Sequence, residues 1–109
     1  MKIITPGHKY ELAHFENYGL TGCPVQTLQF IEKHPDPEDS TGHTLVTAND
    51  GTTNEEVLAV LIDRMQYLQG KFPCRENAII ITKLEESLMW LQKRTRDRLA
   101  RGVEGTNAK

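Results

Sequence analysis

Apolar and polar positions divide the chain into two halves with different periods. Over Lys9–Glu16 (KYELAHFE), Tyr10, Leu12 and, after a slip, Phe15 stand among polar residues, as in a short half-buried strand. Gly19, Gly22 and Pro24 then interrupt the pattern. Val25–Ile31 (VQTLQFI) alternates more cleanly, with Val25, Thr27, Gln29 and Ile31 on one side and Gln26, Leu28 and Phe30 on the other; this spacing predicts a strand. His34–Gly42 (HPDPEDSTG) is turn chemistry and predicts an exposed loop, because two prolines fix φ and Asp, Ser and Gly favour local hydrogen bonds. Thr44–Thr47 (TLVT) predicts a third strand, left through Asn49-Asp50-Gly51. Residues 1–50 therefore read as a β-rich part holding a small antiparallel sheet of about three strands.

From residue 53 the period changes to that of a helix. Thr53-Asn54-Glu55-Glu56 has the form of a capping box, and Val57, Val60, Leu61, Arg64, Met65 and Leu68 recur at three and four residues toward Gly70. A first helix over 53–69 follows. Lys71-Phe72-Pro73-Cys74 turns the chain, and from Arg75 neither Gly nor Pro appears until Gly102, which predicts a longer second helix over 75–101. Its stripe of Ile80 or Ile81, Leu84, Leu88, Leu91 and Thr95 faces the first helix in an antiparallel hairpin. At ~1.5 Å per residue the second helix outruns the first by ~15 Å, and the overhang carries Trp90–Arg101. Residues 102–109 are expected to fray. The fold class is α+β, a single domain over 1–109, and its uncovered apolar stripe and short sheet predict at least a homodimer.

Composition narrows the function classes. A chain of 109 residues, 38% hydrophobic and 26% charged, fits one soluble domain. The longest apolar runs fall far short of the ~18 residues of a membrane span, and the start of the chain shows no apolar signal region, so the expected location is the cytoplasm. Thirteen Lys and Arg against fifteen Asp and Glu give a formal charge of -2, which argues against a polymeric nucleic acid as partner. Cys23 and Cys74 lack metal-ligand spacing and read as free thiols. His8, His14, His34 and His43 form no H-x-x-x-H pair, so no metal and no cofactor is expected, and no nucleophile-base pattern supports catalysis.

Local charge is more informative. Lys93, Arg94, Arg96, Arg98 and Arg101 are opposed only by Asp97 in the overhang. At ~100° per residue, Trp90, Arg94, Arg98 and Arg101 fall within about 80° of one another beside the leucine stripe, whereas Arg96 points about 120° away from Trp90. Guanidinium groups grip phosphate and stack on bases, and an indole adds a stacking surface, so this face suits a nucleotide-like ligand. Cations in the last turns of a helix also complement its dipole, and on pattern alone that plainer account takes precedence. Arg98 is expected here as one of the exposed cations, dispensable for folding. Asn77 shares the wheel position of Leu84 and Leu88, where it could read a ligand or cap a neighbouring backbone. Tyr67 and Phe72 flank the hairpin turn as core or interface aromatics.

GTTNEEVLAVLIDR (Gly51–Arg64), ENAIIITKLEESLMWLQKRTRDR (Glu76–Arg98) and RGVEGT (Arg101–Thr106), preceded by KYELAHFE and QTLQFIEK, resemble the phage Thoeris anti-defence 1 family over nearly the whole chain. The helix-two block ENAIIITKLEESLMWLQKRT is the most specific part, and its hairpin also resembles that of the phage sponge directed against CBASS. The resemblance implies a non-enzymatic protein that sequesters a cyclic nucleotide immune signal and releases it intact on denaturation. The implied ligand is the glycocyclic ADP-ribose of Thoeris, with cyclic di- or trinucleotides as further candidates. It implies homodimers or hexamers whose pocket is shared between protomers. Carried over by motif, Asn77, Arg94 and Arg98 are implied ligand contacts, with an aromatic near the turn, Tyr67 or Phe72, stacking on the purine; Trp90 and Arg101 join them from the wheel. A helical-hairpin interaction module is the alternative, and a nucleotide-degrading enzyme is third.

Overall fold

The computed structural model describes residues 1–16, 22 and 24–109. Residues 17–21 and Cys23, with the expectations attached to Gly19 and Cys23, lie outside the described residues. β1 (Lys2–Thr5), β2 (Lys9–Leu12) and β3 (Gln26–Gln29) form a three-stranded antiparallel sheet in that order. Tyr10 sits opposite both Ile3 and Leu28 and packs edge-on against Phe30, ring centroids 6.1 Å apart. β1 is a strand that the sequence pattern did not predict.

The third expected strand exists as β5 (Leu45–Asn49), but it belongs to a separate antiparallel ribbon with β4 (Glu32–Pro35). β4 enters the stretch expected to be loop; a two-stranded ribbon has only edges, where Pro35 removes no central hydrogen bond. Beyond it the turn chemistry holds. Asp39 accepts hydrogen bonds from the Thr41 hydroxyl (2.6 Å) and from the backbone N–H groups of Thr41 (3.0 Å) and Thr44 (2.8 Å), which together hold its carboxyl far below the ordinary 3.8.

The end of β3 meets the segment that leads into α1 at a close crossing. The Thr52 N–H donates to Gln29 O (2.8 Å) and the Ile31 N–H to Thr52 O (2.9 Å). Gly51 makes this approach possible: a Cβ there would sit 2.8 Å from the carbonyl carbon of Phe30.

α1 (Asn54–Lys71) begins where the cap predicts, with the Thr53 hydroxyl accepting from the Glu56 N–H at 3.2 Å. α2 (Arg75–Arg101) is capped by Cys74, whose Sγ accepts from the Asn77 N–H, and ends at left-handed Gly102. The two helices pack on each other. In α2 the half-buried positions include Asn77, Ile81, Leu84, Leu88, Leu91 and Thr95, continuing the expected stripe. In α1 the expected stripe holds in part: Val57, Met65 and Leu68 are half-buried, joined by Leu58, Ile62 and Gln69, whereas Val60, Leu61 and Arg64 are exposed. A helix apolar on nearly every side does not reveal from sequence which arc meets its neighbour.

Among the described residues no apolar side chain is fully buried, and no helix packs against either sheet. The radius of gyration is 17.9 Å, against roughly 13 Å for a compact chain of this length. Also among the described residues, no helix is long and apolar enough to cross a membrane.

Candidate functional site: the α2 overhang

The extra length of α2 lets its last turns run beyond α1 and leaves one face open. There Trp90, Arg94, Arg98 and Arg101 line a groove of about 610 Å³, together with Lys93, Asp97, Ala100 and Lys109. The aromatic and the three arginines that the wheel grouped are thus brought together. Trp90 is 68% exposed, leaving its indole available for stacking. Lys93 is tied to Asp97 at 2.6 Å, and that bond holds the Asp97 carboxyl below its usual range. Arg94 and Arg101 are exposed and enter no ion pair among the described residues. The groove is therefore cationic, with its one carboxylate already occupied.

Arg98 differs from the other arginines. It is 5% exposed, the one buried residue among those described. Its Nε donates to Glu104 Oε2 (3.1 Å), Nη2 to the carbonyls of Val103 and Thr106 (2.9 Å each), and Nη1 to the carbonyl of Ala108. The expectation of a dispensable exposed cation is corrected: the segment after Gly102 folds back over it. A signal was present, because Arg98 continues the 4-3-4-3 spacing of Leu84, Leu88, Leu91 and Thr95 and so falls on the covered side of the helix.

The expected fraying of 102–109 is corrected by the same contacts. The Thr106 hydroxyl donates to Val103 O (2.6 Å), the Asn107 N–H to His43 O (3.2 Å), and the Leu45 N–H to Gly105 O (3.3 Å). The end of α2 is thereby joined to the β4–β5 ribbon.

The remaining candidates sit at the other end of α2. Asn77 lies ~25 Å from Arg94 along the helix axis. Its Nδ2 donates to Phe72 O at 3.4 Å, so within the protomer it braces the turn. Phe72 and Tyr67 are 73% and 57% exposed, and the Lys71 ammonium lies 5.0 Å from the Tyr67 ring centroid. Tyr67, Phe72 and Asn77 thus form a hairpin-tip cluster that does not meet the overhang groove within one protomer. Another groove, about 630 Å³, lies beside Tyr10, Phe30 and Thr53, and no lysine or arginine lines it.

Residues 27–96 match the family model described as Acb2/Tad1, hairpin domain. The chain belongs to this hairpin family. The matched region runs from β3 through α1 and most of α2, and takes in Tyr67, Phe72, Asn77, Trp90 and Arg94, while Arg98, Arg101 and Lys109 lie beyond it. A similar protein is Thoeris anti-defense 1 of Bacillus phage SBSphiJ7, 60% identical over 60 residues. That alignment takes in 54% of this chain and 42% of the relative, so the chain spans less than half of the relative it matches.

Proposed function

We propose that this member of the Acb2/Tad1 hairpin family is a phage anti-defence protein that binds and sequesters a cyclic nucleotide immune signal without cleaving it. The observation that carries the reading is the overhang groove, where an exposed indole stands beside unpaired arginines. Stacking and charge-assisted phosphate contacts are sufficient for tight binding without chemistry. The relative named for anti-defence against Thoeris makes glycocyclic ADP-ribose the first ligand to test. Cyclic di- and trinucleotides are the second.

The complete pocket is shared between protomers. The hairpin tip, with Tyr67, Phe72 and Asn77, and the overhang, with Trp90, Arg94, Arg98 and Arg101, lie too far apart to close on one small ligand within a chain. A second hairpin running antiparallel would set the tip of one copy beside the overhang of the other. The exposed Val60, Leu61, Ile79, Ile80 and Met89 supply the apolar surface for that association, as a homodimer or as a hexamer built from dimers. The same surface favours one alternative, a hairpin that docks on a different protein.

Incubation with glycocyclic ADP-ribose, removal of free ligand, heating and chromatography separate the readings. Intact ligand recovered from the denatured protein supports sequestration, altered products mean an enzyme, and no uptake favours the interaction module. Arg94→Ala should weaken binding about ten- to a hundredfold, as expected for one charge-assisted phosphate contact. Arg96→Ala, which removes the same charge outside the groove, should be nearly silent. Equal losses for both would replace a specific contact with diffuse electrostatics.

A further inference from the structure

We infer that the segment Val103–Ala108 is a support that sets Lys109 as a wall of the ligand groove, that Lys109 contributes a cation to the bound phosphate, and that Arg98 is the residue that positions this wall. The inference rests on the overhang groove being the ligand site and adds to that site residues outside the family match. Arg98 spends its guanidinium on a Glu104 oxygen and on the carbonyls of Val103, Thr106 and Ala108. The Ala108 contact has a direct consequence: it pins the backbone beside the helix face, and the next residue, Lys109, lines the groove with Trp90 and Arg94.

The wall is fastened on its far side as well. Asn107 donates from Nδ2 to Gly42 O at 3.1 Å and from its backbone N–H to His43 O at 3.2 Å. Within the segment, the Ala108 N–H donates to the Thr106 hydroxyl at 3.3 Å. A short stretch held at both edges can present a lysine at a defined place, which an unfastened tail could not do without a large ordering cost on binding. Lys109 enters no ion pair among the described residues, and Asp97, the acid in the groove lining, is engaged by Lys93. The Lys109 ammonium therefore has no ion-pair partner among the described residues that an incoming anion would have to displace.

Calorimetric titration of the full chain with glycocyclic ADP-ribose tests this by a mutant cycle. Lys109→Gln should weaken binding about three- to tenfold, the value of a groove-edge charge, with the melting temperature unchanged. Arg98→Lys keeps a positive charge at that position but cannot reproduce a planar fork across four acceptors, so the wall should loosen. In that background Lys109→Gln should add less than about a twofold further loss. Asn107→Ala should cancel the Lys109 effect in the same way, and it leaves α2 untouched if Arg98→Lys folds poorly. A silent Lys109→Gln overturns the inference, and so do losses that multiply independently in both backgrounds. Wild-type protein that takes up no ligand overturns the proposed function instead.

Discussion

Replacing Arg98 with methionine keeps most of the side chain's length and removes its charge and all of its donors. The structure gives that change a local cost. One buried guanidinium serves the Glu104 carboxylate and the Val103, Thr106 and Ala108 carbonyls. Each hydrogen bond to a charged donor contributes about 1.5–3 kcal/mol, and release of the short segment into water recovers part of the sum, leaving about 3 kcal/mol against the docked tail. Hydrogen exchange reads that quantity residue by residue. About 3 kcal/mol corresponds to a roughly hundredfold faster exchange of the amides docked through this segment, those of Leu45 and Asn107. Amides in the middle of α2, whose bonds are intrahelical, should keep their wild-type rates. Unchanged exchange at Leu45 and Asn107 would refute the reasoning, because the tail would then be held without Arg98. Uniform acceleration over the whole chain would refute it as well, since the contact would then support the global fold rather than the tail.

Three further outcomes follow from the fold. Light scattering at micromolar concentration should give a mass above the 12.4 kDa of one chain, because no apolar side chain among the described residues is fully buried; a monomer would contradict this. Gly51→Ala should destabilise the protein by about 1–3 kcal/mol in denaturant titration, since the added methyl meets the Gln29–Phe30 backbone; no change would mean that the crossing can separate freely. The Asp39 carboxyl is held below its ordinary 3.8, so its stabilisation is fully present above that value and is lost as pH falls toward the lower folded value. Amides of the 39–44 loop should accordingly lose exchange protection below about pH 4, and Asp39→Asn should remove that pH dependence.

The sequence alone determined the helices and their relative lengths, because capping chemistry, the absence of Gly and Pro, and apolar periodicity are all local signals. It also determined which side chains share the overhang face, since Trp90, Arg94, Arg98 and Arg101 are grouped by helical geometry and need no tertiary contact to be neighbours. Asn77 stood in the right position, with both of its roles open, and the structure shows its amide bracing the turn at Phe72. What the sequence could not decide was pairing between distant segments. Strand partnership is fixed by backbone hydrogen bonds that carry no residue signature, so TLVT and EKHP form their own ribbon while KIIT completes the sheet. Arg98 shows the same division most clearly. Local geometry placed it correctly on the helix, and only the return of Val103–Ala108 across its guanidinium made it a buried anchor, because a charge can be covered only when distant carbonyls arrive to replace the water it loses.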